Sequence, residues 1–390
     1  MQQSTWFTPE GLEDLLPPQA QKLEFYRRKL IDGFELSGFE LVLPPIAEFT
    51  DSLLTGTAGN MAVDTCRFTD QESGRMMGVR ADMTPQVARI VSNRLKADST
   101  ISKLCYVGEV LKTRNNKAKG SRSPIQVGAE LFGHHGFESD YEIIGLMLES
   151  MQLLKLPEIK MSLGHVAIVT ELMALAELDK KQSKELIDIL SRKAIPEYEV
   201  FVSQLTIESN LKSKFVALPL MCGEASSVID VAIKELSGLS AVLDDAIAHL
   251  QKVINSLAAT HGVAIHLDMA DIRGYQYHTG IIFACYSGST LQPIAKGGRY
   301  DNIGSVFGLG LPATGFSLDL RSALDLLSDV QLNVTDTVYA PLLADKSLQE
   351  SIAELKSKGY RVIKAYDLTG LQKGDKKLSN DSGQWSIETV

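Results

Sequence analysis

The hydrophobic pattern of this chain changes period twice, and that change constrains the fold more than any other feature. Residues 39–43, 75–79, 103–110 and 125–132 read as strands, with helices at about 85–95 and 140–154. From about residue 166 to 260 the apolar spacing is almost wholly helical. Strand-like runs resume at 263–268, 281–286 and 314–318. A sheet begun before a long helical segment and completed after it is an α+β arrangement, whereas a doubly wound parallel sheet needs strands and helices in regular alternation. The expectation is an antiparallel sheet flanked by helices, with a helical insert at about 166–260 packed to one side.

The ends carry their own signals. Leu23, Tyr26, Leu30 and Phe34 recur on one face of a helix over 19–36, which Gly38 terminates. The strand at 39–43 stops at Pro44-Pro45; proline has no N–H for a central ladder, so this strand belongs at an edge or interface. Residues 337–343, 348–358 and 360–365 read as strand, helix and strand of a small α/β unit, and the polar stretch 370–383 as a loop. Two domains follow, 1–325 and 326–390. A chain of 390 residues, 44% hydrophobic, is ample to bury both cores.

Composition excludes several classes. The net charge of −9 argues against nucleic acid as the main partner, because phosphate contacts need clustered Lys and Arg. No run approaches the ~18 apolar residues of a membrane span. The first residues lack the basic-then-apolar order of a signal peptide, so a cytoplasmic protein without membrane contact is expected. Cys66, Cys105, Cys222 and Cys285 form no Cys-x-x-Cys pair and read as buried free thiols, with no zinc site. The glycine loops of Rossmann and P-loop proteins are absent after a strand. The pair His134-His135 reads as a solvated loop.

Three stretches are chemically rich, and each also has a plain structural reading. Around Arg80, Asp82 and Thr84, a helix start at Pro85 makes capping the plain reading. In Gln126-Val127-Gly128-Ala129-Glu130, strand alternation puts Gln126, Gly128 and Glu130 on one face, with room for a ligand at the glycine; an internal ion pair is the alternative. The stretch Asp271-Ile272-Arg273-Gly274-Tyr275-Gln276-Tyr277-His278-Thr279-Gly280 is a polar loop between two strands, or a hydrogen-bonded turn. Together they suit an amino acid: carboxylates and an amide for an ammonium, an arginine for a carboxylate, a phenol and an imidazole for a polar side chain.

These residues resemble a family. Residues 38–45 resemble motif 1 of class II aminoacyl-tRNA synthetases, the dimer-forming helix and strand. Residues 80–84, 126–133 and 273–280, with Gly297-Gly298-Arg299-Tyr300-Asp301, resemble signature runs of histidyl-tRNA synthetases, over about residues 6–325. The resemblance implies that fold and a histidine site made of Asp82, Thr84, Gln126, Glu130, Arg273, Tyr277 and His278: Asp82, Thr84 and Glu130 around the ammonium with help from Gln126, Arg273 on the carboxylate, Tyr277 and His278 at the imidazole.

The departures point elsewhere. Where the synthetases carry Phe-Arg and then Glu in motif 2, this chain has Leu111, Lys112 and Arg114; where motif 3 ends in arginine, it has Ser322. Those arginines clamp ATP phosphates in the family. Lys112 keeps a charge without the bidentate fork, and Ser322 keeps neither. Arg321, one position earlier, is no obvious substitute. The stretch after Asp325, with its strand-helix-strand start and polar end, reads as a truncated or replaced anticodon-binding domain.

A retained histidine half with a lost ATP half resembles the regulatory subunits of ATP phosphoribosyltransferase. That resemblance implies a non-catalytic chain, a short-form catalytic subunit as partner, a homodimer through motif 1, L-histidine as effector, and no tRNA. No cofactor is expected on this chain, and Mg²⁺ is expected for the partner's reaction. The alternative is a paralogue that still forms an aminoacyl-adenylate and acylates a target other than tRNA.

Overall fold

The computed structural model describes residues 7–55, 59–95, 101–114, 121–275, 277–288, 290–303, 310–327, 336–381 and 383–390. The chain divides into two compact units, Met1–Leu327 and Ser328–Val390.

The first unit is built on a nine-stranded sheet. In chain order its strands are β1 (Glu40–Leu41), β2 (Ser102–Glu109), β3 (Ile125–Phe132), β4 (Ile159–His165), β5 (Cys222–Glu224), β6 (Ala264–Asp268), β7 (Ile281–Ser287), β8 (Ala295–Arg299) and β9 (Ala313–Asp319). They lie in the order β1-β2-β3-β9-β8-β7-β4-β6-β5. The pairs β1–β2 and β4–β6 run parallel and the others antiparallel. This is a mixed, mainly antiparallel sheet, not a doubly wound one.

Helix α1 (Gln19–Leu36) buries Leu23, Tyr26, Leu30 and Phe34. It closes with Phe39 N–H donating to Phe34 O at 3.0 Å across Gly38, whose φ of 83° is the left-handed turn that glycine adopts without strain. The next strand, β1, is the sheet's edge strand, as the two prolines require. With α3 (Phe137–Leu153), α1 covers one sheet face, where Phe34 meets Phe316 edge-on at 5.9 Å. On the opposite face α2 (Thr84–Asn93) packs Val87 and Val91 into a cluster with Leu104, Tyr106 and Tyr300.

The segment between β4 and β6 holds six α-helices, α4 (Val166–Leu175), α5 (Lys180–Ser191), α6 (Ile195–Gln204), α7 (Ser209–Ala217), α8 (Ala225–Leu236) and α9 (Ala241–Thr260), and α9 packs on α3 and α4. This segment also supplies β5, which pairs with β6 and extends the sheet.

The structure departs from the sequence expectation at several points. Residues 76–79 form a strand, but in a separate three-stranded sheet with Ala47–Phe49 and Arg67–Thr69. Strand β4 was not foreseen: Met161 to His165 are buried on both faces, so no alternation marks it. The second unit has β10 (Thr337–Pro341), α11 (Lys346–Ser357, following α10, Leu320–Leu324, of the first unit) and β11 (Arg361–Ala365). Its polar end is no loop but a hairpin, β12 (Lys376–Asp381) and β13 (Gln384–Thr389), anchored by buried Leu378. Finally, Cys105 and Cys285 are buried and Cys66 half-buried, but Cys222 is exposed. Among the described residues no helix is long and apolar enough to cross a membrane, and no group of three or more His, Cys, Asp or Glu is placed to hold a metal ion.

Candidate functional site

Sheet register builds the site. Leu104, Glu130, Gly315, Gly298, Ile282 and Gly164 form one row across β2, β3, β9, β8, β7 and β4, all on the α2 side. The three glycines make this row a trough. A Cβ on Gly315 would collide with the Glu130 carboxyl, one on Gly298 would sit 2.6 Å from His278 Cδ2, and one on Gly164 would sit 2.8 Å from Asp271 Cβ. The loop after β6 therefore lies down in the trough and carries Asp271, Arg273, Tyr277 and His278 with it. Gly274, at φ 68°, turns that loop, and a Cβ there would meet the His278 ring at 2.5 Å.

A cavity of about 630 Å³ opens over the trough, walled among others by Asp82, Thr84, Glu130, Arg273, Tyr277 and His278. That size suits a small-molecule site. Six of the seven residues singled out from sequence thus share one wall. The seventh, Gln126, stands behind it: its Nε2 donates to Asp82 Oδ1 at 2.8 Å, and its Oε1 accepts from Met83 N–H at 2.9 Å. Asp82 Oδ1 also accepts from the N–H of Thr84, the first residue of α2, at 3.1 Å, but the N-cap itself is Met83, which makes no side-chain cap, so neither Asp82 nor Thr84 takes the capping position expected of it.

Glu130 lies at the bottom. Its carboxyl accepts from Thr84 Oγ1 at 2.8 Å, from Tyr106 Oη at 3.0 Å and from Tyr300 Oη. Burial pushes it up to about 8, although the three hydroxyls pull the other way. Burial likewise lifts the phenols of Tyr106, Tyr277 and Tyr300 well above their ordinary value, so they stay protonated donors. The space foreseen at Gly128 is not open to a ligand: Tyr106, its partner on β2, fills it, and a Cβ there would lie 2.5 Å from the Tyr106 hydroxyl.

Tyr277 stacks obliquely on Tyr300 with ring centres 5.1 Å apart, and its buried hydroxyl has no hydrogen-bond partner. Thr84, a nearby candidate, gives its one hydroxyl hydrogen to Glu130 at 2.8 Å, so towards Tyr277 it can only accept. The His278 ring is wedged between Gly274 and Gly298, its Nδ1 against the loop backbone without hydrogen-bond geometry. Burial, aided by Lys296, lowers it to about 4, so it is neutral at pH 7. Arg273 donates through Nε to Asp271 Oδ2 at 2.8 Å, through Nη1 to Tyr286 Oη at 2.9 Å and through Nη2 to Ser162 Oγ at 3.1 Å, with a further Nη2 contact to Asp271.

The cations that a nucleotide needs are arranged otherwise. Arg80 is buried and stitches the chain, donating to Glu109 O and to Pro44 O at 2.8 Å each. Arg114 pairs with Asp64 at 3.5 Å, and Arg321 turns to Glu13 O at 3.1 Å. Lys112 alone of these reaches the cavity wall. His134 accepts from Gly136 N–H at 3.0 Å in a half-buried turn, while His135 is exposed.

Sequence reasoning passed over Tyr106, Tyr300 and Asp271. Tyr300 stood in a quoted signature run, and Asp271 opened the singled-out loop, yet neither received a role. Tyr106 had no local signal, since only register sets it against Gly128.

Fold and cavity together define a histidyl-tRNA synthetase-type core, and the family model for histidyl-tRNA synthetase matches residues 11–323. Two solved structures share the fold. One, described as an ATP phosphoribosyltransferase regulatory subunit/histidyl-tRNA synthetase from Bacillus halodurans, has a TM-score of 0.81 at 24% identity, covering 95% of this chain and 96% of its own. The other, histidyl-tRNA synthetase from Nostoc sp. PCC 7120, has a TM-score of 0.79 at 16% identity over 99% and 97%.

Sequence relatives are narrower. The ATP phosphoribosyltransferase regulatory subunit of Hydrogenovibrio crunogenus is 57% identical over 99% of both chains, and that of Thioalkalivibrio sulfidiphilus is 42% identical over 98% of both. The chain belongs to the family of ATP phosphoribosyltransferase regulatory subunits.

Proposed function

We propose that this chain is the histidine-sensing, non-catalytic subunit of a cytoplasmic ATP phosphoribosyltransferase. It binds free L-histidine in the cavity over the glycine trough, activates a short-form catalytic subunit, and relays feedback inhibition in the first step of histidine biosynthesis. ATP, phosphoribosyl pyrophosphate and Mg²⁺ are handled by the partner; this chain holds no cofactor and takes no tRNA.

The observation that carries this reading is the polar, phenol-lined bottom of the cavity, where Glu130 meets three hydroxyls beside the partnerless Tyr277 hydroxyl. Buried polar groups of this kind ask for a ligand with ring N–H and N groups at fixed positions. The two carboxylates divide the ligand between them. Asp82, half-buried and held by Gln126, is the counter-ion for the ammonium. Glu130, expected from the sequence at the ammonium, is buried and lifted to about 8, which makes it a poor counter-ion but a good hydrogen-bond partner for an imidazole nitrogen, so it moves to that end. Tyr277 and His278 flank the ring, Thr84 lies between the two ends, and Arg273 faces the carboxylate. A homodimer through the edge of β1 is supported by Leu41, Leu43 and Ile46, which are exposed there.

The test is reconstitution with the short-form catalytic subunit and a histidine titration of its activity. Activation by this chain and inhibition by histidine are expected. Leaving a buried hydrogen-bonding group unsatisfied costs about 1–3 kcal/mol, so Glu130→Ala is expected to weaken histidine about tenfold while the complex still assembles. Unchanged inhibition in that variant places the sensor elsewhere.

A further inference from the structure

The site that receives the carboxylate end of the ligand is already occupied by a carboxylate of the protein. Asp271 is 3% exposed and approaches Arg273 from below, with Oδ1 accepting both the Arg273 N–H at 3.0 Å and Nε at 2.9 Å, and Oδ2 accepting Nε at 2.8 Å and Nη2. Ser162 takes a further Nη2 hydrogen and Tyr286 one on Nη1. Of the five guanidinium N–H groups, Nε and both Nη2 sites are committed to this cage, and Nη1 is already shared with a phenol. The position of Asp271 is built in, since its Cβ rests over Gly164, where any side chain would displace it.

We infer that Asp271 is a specificity-determining residue of this pocket: by caging Arg273 it cancels most of the positive field at the carboxylate end, so the pocket selects its ligand by the ring and the ammonium and only weakly by the carboxylate. The inference rests on the histidine reading above and deepens it. Strong rejection of an analogue arises when its missing group leaves a buried partner unpaired. Here nothing is left unpaired, because Arg273 keeps Asp271 and its side chain is 46% exposed to water. The other cations on the wall do not replace it: Lys296 is exposed and Lys112 half-buried, so neither supplies a desolvated charge. The ligand class is therefore wider than α-amino acids. It comprises imidazolyl-ethylamines with a carboxylate, an amide or a hydroxymethyl group at the α-carbon.

The experiment is calorimetric titration of the full-length chain with L-histidine and with L-histidinol, which has a hydroxymethyl group in place of the carboxylate, repeated on Asp271→Asn. In the native chain the two ligands are expected to differ by less than about tenfold in Kd. In Asp271→Asn, which removes the competing charge at constant size, the preference for histidine is expected to rise at least threefold. Rejection of histidinol by a hundredfold or more in the native chain overturns the inference and leaves the histidine site standing. An unchanged ratio in a folded Asp271→Asn protein overturns it as well. If that variant does not fold, the native ratio decides alone. Binding of neither ligand removes the histidine reading, and this inference with it.

Discussion

The hydroxyl of Tyr106 donates to Glu130 Oε1 at 3.0 Å from directly above Gly128, so a buried polar contact that supports the cavity wall depends on a glycine that neither residue adjoins in sequence. A Cβ at Gly128 would lie 2.5 Å from both Phe316 O and the Tyr106 hydroxyl, and the first of these is backbone that cannot rotate away. Overpacking of this kind costs about 1–3 kcal/mol. Gly128→Ala is expected to lower the thermal midpoint and to weaken histidine by displacing Tyr106. A midpoint and a histidine affinity both equal to the native values would show that the strand yields without effect.

Glu130 makes stability depend on pH in an unusual direction. Its carboxyl is raised by burial to about 8 in the fold, against the ordinary value of 4.5. The folded state therefore binds the proton more tightly than the unfolded chain. The stabilisation is fully present below about pH 4.5 and is lost as pH rises to about 8, by at most about 1.4 kcal/mol per pH unit. Glu130→Gln imitates the protonated form at every pH. The variant is expected to gain on the native protein as pH goes from 5 to 8 in denaturant titrations, whatever their difference at pH 5. A difference independent of pH would mean that the carboxyl ionises normally.

What could be seen in advance follows from which residues have one wet face. Helix α1 was legible because Leu23, Tyr26, Leu30 and Phe34 recur against polar neighbours. Strand β4 was not, being buried on both faces, and β8 was not, because Gly297 and Gly298 lack the side chains by which strands are recognised. Those glycines serve the close approach of the His278 ring and of Gly315 O. In the site, Gln126 and Glu130 were placed on one face by alternation alone, but the depth of Glu130 and the arrival of Tyr106 and Tyr300 depend on register between distant strands. The caging of Arg273 by Asp271 turns on side-chain direction within one loop, which spacing does not encode.

A second buried charge lies behind the cavity wall. Arg299 Nε donates to Asp140 Oδ2 at 3.0 Å, His249 Nε2 lies 3.2 Å from the same oxygen, and Arg299 also donates to Ser139 Oγ at 2.7 Å. Burial alone would raise the Asp140 carboxyl, but the His249 contact and Arg299 more than offset this and hold it below the ordinary carboxylate range. Its stabilisation is thus present above the unfolded value of about 3.9 and lost as pH falls through the lower folded value. Arg299→Met strands a fully buried carboxylate and is expected to cost about 3–5 kcal/mol. Adding Asp140→Asn should recover part of that loss, a coupling that a double-mutant cycle in urea measures. Strictly additive losses would show that the pair contributes nothing as a pair.

Among the described residues, the cavity lacks the paired arginines that adenylate formation requires. Forming an aminoacyl-adenylate builds negative charge on the α-phosphate, which fixed cationic donors must meet as it develops. At the position of the motif 3 arginine, Ser322, in the first turn of α10, donates its hydroxyl to Asp319 Oδ2, and the neighbouring Arg321 is held on Glu13 O. In motif 2 Arg114 is paired with Asp64, and Arg80 is spent on the Glu109 and Pro44 carbonyls, which leaves Lys112 as a point charge without a fork. The purified chain is therefore expected to show no histidine-dependent exchange of pyrophosphate into ATP, and no charging of tRNA. Ser322→Arg alone should not restore exchange, because the second clamp is missing too. Histidine-dependent exchange by the unmodified chain at a rate typical of enzymes, ~1 per second or more, would overturn the non-catalytic reading and return the chain to the adenylate-forming enzymes.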